Sequence, residues 1–217
     1  MTFSEENYLK AIYHLTILSN SEVSTNAIAE MMETKASSVT DMLKKLAEKD
    51  LVNYKKYQGV SLTDKGNLEA KMIVRKHRLW EVFLVEKLDF SWDEVHDIAE
   101  QLEHIKSEKL INKLDDFLDN PTEDPHGDPI PNAQGQIIKI EKQLVSELNE
   151  KQVGICVGVK DTSSEFLKYL DKQEIALGSK IEIMGKESFD SSVKIKVNNK
   201  ELTISNKIAT NLFVKIT

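Results

Sequence analysis

Cysteine is nearly absent: Cys156 is the single one among 217 residues. An internal disulfide is excluded, and the usage fits a reducing, cytoplasmic compartment. Cys156 lies in the apolar-rich run GICVGV, which points to a buried structural thiol rather than a reactive one. Long apolar runs are missing as well. None approaches the ~20 residues a bilayer span requires, so no membrane partner is expected. The opening residues MTFSEENYLK lack the basic-then-apolar layout of a signal peptide. Proline is confined to four residues within NPTEDPHGDPIPNAQG. That stretch excludes a helix or a long strand and reads as an ordered wrap or a linker. Its His126 and Asp128 are expected on a turn-rich surface loop rather than on a metal. Neither HExxH nor a nucleophile elbow occurs, so a metallohydrolase has no motif to rest on and the chain is not expected to be an enzyme.

Positive charge is also in deficit. The formal net charge is −7, which argues against bulk attraction to polyanions. The local balance differs. Between Lys35 and Lys65 seven lysines face four acidic residues, leaving +3 inside a negative chain. A basic segment of that kind is where a duplex would be met. With 40% hydrophobic and 30% charged residues, the composition is that of a globular protein. The length allows two domains or three small ones.

The densest concentration of chemistry is WDEVHDIAEQLEH, from Trp92 to His104. Ser91 with Glu94 reads as a capping box, so a helix is predicted from there. His96, Glu100, Glu103 and His104 then share one face at 3.6 residues per turn. Two imidazoles and two carboxylates on one face repel unless they are solvated or share a divalent cation. His77 and Glu81, in KHRLWE, form a second i, i+4 pair on a second helix. One such pair is ordinarily a solvated face. Two pairs in one short region favour metal.

Ahead of this region the pattern is helical. Helices are predicted from Ser4 to Ser19, with Ser4 as cap and Glu5 and Glu6 in the first turn, from Ser24 onward, and from Ala36 to Lys49. LVNYKKY and GVSLT, separated by Gln58-Gly59, read as a hairpin. Helix-turn-helix plus hairpin is a winged helix. Lys35, Ser37, Ser38, Thr40, Asp41 and Lys44 occupy the outer face of the third helix, which would enter the major groove. Lys55, Lys56 and Tyr57 on the wing would meet phosphates. The bland alternative for the hydroxyls is helix capping. A long helix from Asp64 to Leu88 and a shorter one from Ser107 to Leu118 complete an apolar-rich α region, expected to form a homodimer interface or to pack on the N-terminal domain. From Ile137 the pattern turns to short alternating strands, IIKI, VGICVGV, SKIEIMG, SVKIKVN, ELTIS and LFVKI, interrupted by one helix, SSEFLKYLDKQ. Strands at this spacing suggest a small barrel.

KHRLWE, EVHDIAEQLEH and PHGDPIP, in that order and ahead of a β-rich tail, resemble the diphtheria-toxin-repressor family of iron- and manganese-dependent transcription regulators. The resemblance runs the whole length. It implies a multidomain α+β architecture: a winged helix-turn-helix over residues 1–64, an all-α metal-binding and dimerisation domain over 65–136, and a small SH3-like (FeoA-like) β-barrel over 137–217. It implies a cytoplasmic homodimer that binds double-stranded operator DNA as a repressor of metal-ion homeostasis genes. Carried over by position, Asn7, Glu100, Glu103 and His104 form a primary metal site. His77, Glu81 and His96 form an ancillary one, aided by Asp161 or Glu165, and Ser37, Ser38, Thr40 and Asp41 fall on the recognition helix. Asn7 stands where iron sensors carry Met and manganese sensors Asp. Glu100 matches the manganese sensors, and Lys10 replaces a Glu ligand of some short members. Hard oxygens with one imidazole favour Mn(II) over Fe(II) as co-repressor. The competing reading is a winged-helix regulator that needs no metal.

Overall fold

The computed structural model describes residues 1–19, 22–55, 58–138 and 141–217. The chain divides into two compact units. The first comprises Met1–His77, Glu100–Lys113 and Pro131–Ile137.

Helix α1 spans Phe3–Ser19. Its cap is Thr2 rather than Ser4: the Thr2 hydroxyl accepts from Glu5 N at 3.3 Å, and Glu5 Oε2 accepts from Thr2 N at 2.9 Å. This reciprocal pair satisfies two amides that the first turn leaves open. Helix α2, Thr25–Met31, is capped by Ser24 as expected. Helix α3, Ala36–Glu48, buries Val39, Leu43 and Leu46 and turns its charged residues outward. Strands β1 (Val52–Tyr54) and β2 (Val60–Leu62) pair antiparallel, with Val23 bridging to Val60. Tyr8, Leu9, Ile12, Ile28, Val39, Leu43, Leu46, Val52 and Val60 close one core beneath this layer. Lys56 and Tyr57, expected on the wing, lie outside the described residues.

Helix α4, Asp64–Leu88, starts where the sequence places it, with the Thr63 hydroxyl accepting from Gly66 N at 3.0 Å. Gly66 has no alternative here, because a Cβ would stand 1.8 Å from the Leu51 carbonyl oxygen. Arg75 on α4 donates to the Pro131 carbonyl at 2.8 Å, which ties the end of the proline-rich stretch to the helix. Helix α5 is Val95–Leu102 and α6 is Glu108–Phe117. Glu94 does reach back to Ser91 N and Oγ, at 3.2 and 2.7 Å, but the intervening residues form a turn and the helix begins only at Val95.

The second unit comprises Arg78–Ala99, Leu114–Ile130 and Ile138–Thr217. It contains a six-stranded antiparallel sheet in the order β3-β8-β4-β5-β6-β7. The strands are β3 (Gln143–Leu144), β4 (Val153–Val159), β5 (Lys180–Lys186), β6 (Val193–Val197), β7 (Lys200–Ile204) and β8 (Leu212–Ile216). Helix α7, Ser164–Lys172, follows β4, and the single-turn α8, Asn206–Ala209, precedes β8. Among the described residues the strand order is open, with β3 and β7 as its edges, rather than closed into the small barrel expected. IIKI does not supply a strand over its described residues 137 and 138, and Lys139 and Ile140 lie outside them. Alternation works as read on β6, where Val193, Ile195 and Val197 are buried between outward lysines. These side chains join Leu167, Leu170, Ile181 and Cys156 in one apolar core. Burial there pushes the Cys156 thiol up, consistent with an inert structural role.

The proline-rich stretch folds back on itself in this unit. Ile130 N donates to Thr122 O, Asp124 N to Asp128 O, and Gly127 N to Asp124 O. It then docks on β4, where Val159 N donates to the His126 carbonyl at 2.9 Å. Gly127 adopts φ +80°, and a Cβ there would meet Val157 O at 1.9 Å. The stretch is thus an ordered wrap, and His126 is buried instead of facing solvent.

Candidate metal centre and nucleic-acid interface

In the first unit, helix α1 presents Glu6 and Lys10 towards the residues that end α5. Because α5 stops at Leu102, Glu103 and His104 lie in the turn that follows it, not on the helical face read from the spacing. That turn aims Glu103 inward, where it is fully buried. Its Oε2 atom accepts from Lys10 Nζ at 2.7 Å and lies 2.7 Å from His77 Nδ1. Burial alone would raise the carboxyl's pKa. The His77 contact and the Lys10 charge outweigh that and hold it below the usual carboxylate range. Lys10 also reaches Glu100 Oε1 at 3.3 Å. His104 Nδ1 lies 2.6 Å from Glu6 Oε2, with Phe3 stacked on the imidazole at 4.5 Å.

Two oxygens in this unit are left over. Among the described residues, Asn7 Oδ1 and Glu103 Oε1 are buried and accept no hydrogen bond. Such orphans are rare, and each costs about 1–3 kcal/mol unless something meets it. Hard oxygen donors, two further carboxylates nearby and an imidazole are what a divalent ion resolves. Mn(II) or Fe(II) fits this donor set.

Glu6 was missed in the sequence, where it read as a first-turn acid complementing the helix dipole. Its signal was the i, i+4 spacing of Glu6 and Lys10 around Asn7. His77, expected in the ancillary group, also places its Nδ1 2.7 Å from Glu103 Oε2.

In the second unit Glu81, on α4, is buried. Its Oε1 lies 3.5 Å from His96 Nδ1 and its Oε2 3.7 Å from His126 Nδ1. Glu81, Asp124 and His126 each offer a ligand atom within 4.8 Å of the others, and all three are buried. His126 Nε2 donates to the Trp92 carbonyl at 2.8 Å, leaving Nδ1 turned to the carboxylates. Trp92 is itself fixed by its indole donating to Asp171 on α7, and Asp93 beside it accepts from Ser164. Burial and the Glu81 charge push Asp124 up to about 7. Burial draws His126 down, but Glu81, Asp124 and the Trp92 carbonyl overcome it and raise His126 to about 9. Charges this strongly perturbed in a buried cluster mark a candidate functional site.

The expected helpers Asp161 and Glu165 do not join that cluster. Asp161 Oδ1 accepts from Ser163 N at 2.9 Å, fixing the entry to α7, and Glu165 is exposed. The wrap residues Asp124 and His126 stand in their place, because the turn at Gly127 folds both side chains towards Glu81.

On α3, Lys35, Ser37, Ser38, Asp41 and Lys44 are exposed and Thr40 is half-buried. Lys35 occupies the cap position without a side-chain bond, so the serines are not spent as caps. Thr40 Oγ1 donates to Ala36 O. Asp41 accepts from Lys44 at 3.1 Å, which offsets the negative charge it would bring towards a phosphate-lined groove. Lys55 is exposed at the end of β1. A winged helix with this face, carried beside buried oxygens fit for a divalent ion, defines a metal-responsive DNA-binding regulator.

Comparison with known proteins agrees. Residues 1–60 match the profile of the iron dependent repressor N-terminal DNA binding domain, residues 63–132 the iron dependent repressor metal binding and dimerisation domain, and residues 144–216 the FeoA domain. The HTH-type transcriptional regulator MntR of Oceanobacillus iheyensis is 34% identical over 150 residues, covering 69% of this chain and 99% of that one. The iron-dependent repressor IdeR of Mycobacterium tuberculosis is 34% identical over 126 residues, covering 58% of this chain and 54% of its own. A solved manganese-dependent transcriptional repressor in complex with manganese superposes with a TM-score of 0.87 at 33% identity, over 98% of this chain and 100% of that one. The manganese regulator SloR gives 0.76 at 33% identity over the full length of both. The chain belongs to the iron-dependent (diphtheria-toxin) repressor family of metal-dependent transcriptional repressors. Among the described residues no helix is long and apolar enough to cross a membrane.

Proposed function

We propose that this chain is a cytoplasmic, homodimeric repressor that grips its operator only when loaded with a divalent ion, Mn(II) in preference to Fe(II), which Asn7, Glu100, Glu103 and His104 would hold. The observation that carries the reading is the pair of unmet buried oxygens, Asn7 Oδ1 and Glu103 Oε1. Glu81, Asp124 and His126, with His96 beside them, are a second ion-holding group. The absence of sulfur from both groups supports Mn(II) over softer ions, although raw affinity follows the Irving–Williams order. Residues 1–64 serve as the reading head, 65–136 as the metal-binding and pairing region, and 137–217 as the FeoA-like accessory domain. The part is that of a regulator, not of an enzyme.

The bound ion supplies two positive charges, which neutralise the carboxylates and give the leftover oxygens a partner. The chain's residues do the rest. Asn7 sits on α1, which packs against the helix-turn-helix core through Leu9 and Ile12. Glu103 and His104 sit in the turn after α5. When these groups converge, α1 and the reading head are held in one orientation, and a twofold dimer then spaces its recognition helices about 34 Å apart, one DNA turn.

The test is a gel shift with metal-free protein, with and without Mn²⁺ or Fe²⁺. Wild type is expected to gain between about 5- and 150-fold in operator affinity on loading. Glu103→Gln is expected to lose that gain while keeping its circular-dichroism spectrum. Metal-free protein that holds the operator as firmly as loaded protein overturns the reading.

A further inference from the structure

Lys10 belongs to the same helix as Asn7, three residues on, and its ammonium lies among the carboxylates. It sits 2.7 Å from Glu103 Oε2 and 3.3 Å from Glu100 Oε1, with its side chain only 12% exposed. A lysine this buried between two acids is itself a cation occupying part of the charge-balancing role that a metal ion would take. It also determines which oxygen stays open. Oε2 of Glu103 is shared between Lys10 and His77, and Oε1 is the orphan.

We propose that Lys10 is a tethered counter-cation that sets the metal threshold of the Asn7/Glu103 centre. The proposal rests on the metal-centre reading above and adds a regulator to it. In the metal-free chain the ammonium cancels one of the two negative charges of Glu100 and Glu103 and ties α1 to the turn after α5. An arriving divalent ion therefore meets a less negative site, with a like charge nearby and with one oxygen of Glu103 already engaged. Both effects lower the affinity for metal. The threshold for occupancy rises to a higher free-ion concentration than the same oxygens would give alone.

The experiment titrates metal-free full-length protein with Mn²⁺ by calorimetry and follows thermal unfolding with and without the ion. Glu103→Gln identifies the class of Mn²⁺ sites that belongs to this centre. In Lys10→Met, which keeps chain length and removes charge, that class is expected to tighten about ten-fold or more, because a unit charge within a few ångströms of a divalent ion is worth at least that much even at the effective permittivity of a protein surface. The metal-free Lys10→Met protein should melt lower than wild type and gain more from Mn²⁺. Lys10→Arg should stay near wild type in both respects. Lys10→Gln serves as the charge-free variant if the methionine protein does not fold. Unchanged or weaker Mn²⁺ binding in the charge-free variant, with Glu103→Gln still removing the site, overturns the role of Lys10 and leaves the centre standing. Mn²⁺ binding that Glu103→Gln leaves untouched overturns the centre itself, and the role of Lys10 with it.

Discussion

Asn7 Oδ1, on α1, and Glu103 Oε1, in the turn after α5, share one property: each is a buried oxygen with no hydrogen-bond donor. Two such orphans from segments almost a hundred residues apart, within one compact unit, are costly in the chain alone. A cation converts that cost into attraction. On the proposed reading the unit is less stable empty than filled, and the difference is the energy that loading would deliver to the reading head.

Asn7 is the weak member of this donor set, since a carboxamide oxygen carries no formal charge. Asn7→Asp would add one. Without metal the extra charge would be buried where Asn7 Oδ1 has no hydrogen-bond partner, so the variant should melt several degrees lower than wild type. With metal the same charge faces a divalent ion, and Mn²⁺ should bind about ten-fold more tightly, roughly 1.4 kcal/mol. Calorimetry on metal-free protein and differential scanning fluorimetry read both effects. A variant that changes neither quantity would place Asn7 away from the ion.

The second cluster has its own signature in pH. His126 titrates in the folded chain at about 9, against an ordinary value of 6.5. A cationic acid whose folded value is raised stabilises the fold fully below 6.5 and loses that contribution as the pH climbs through 9. Asp124, raised from 3.8 to about 7, adds a loss of stability as the pH rises over that lower interval. Metal-free protein should thus unfold progressively more easily from near neutrality into the alkaline range, measured by urea titration in chelator. His126→Gln should flatten the alkaline part of the curve. Mn²⁺ should oppose the trend, because an ion replaces the protons that alkali removes. An alkaline limb identical in His126→Gln and wild type would show that His126 is not the group titrating.

Much of this was legible in the sequence, for identifiable reasons. The winged helix was readable because α3 has a clean apolar stripe, Val39, Leu43 and Leu46, and because Thr63 caps α4 where the period changes. The β tail was readable because its strands alternate. The candidate metal residues were readable as residue types at helical spacing, but not as a geometry. Helical spacing says nothing about where α5 ends, and its ending at Leu102 turns Glu103 inward. Thr2 took the cap that Ser4 was expected to supply, because Glu5 reciprocates with it three residues on. The largest error was His126. Proline and glycine signal a turn, and a turn usually means solvent. Here the turn is pressed against β4 at Gly127, a long-range contact that local composition cannot show.

DNA recognition can be separated into its electrostatic and its sequence-reading parts. Lys35 and Lys55 are exposed lysines at the start of α3 and the end of β1. Each is expected to neutralise one phosphate. Replacing either with alanine should weaken binding alike to operator and to unrelated duplexes, and should reduce the slope of log affinity against log salt by about one. Ser38 lies on the exposed side of α3 without a capping role. Ser38→Ala should leave the salt slope intact and alter affinity for the operator more than for random duplex, because a groove-facing hydroxyl contributes to sequence and not to charge. Fluorescence-anisotropy titrations of Mn²⁺-loaded protein at three or more salt concentrations, on both duplexes, separate the two behaviours. Salt slopes unchanged in Lys35→Ala and Lys55→Ala would move the phosphate contacts off this face of the winged helix.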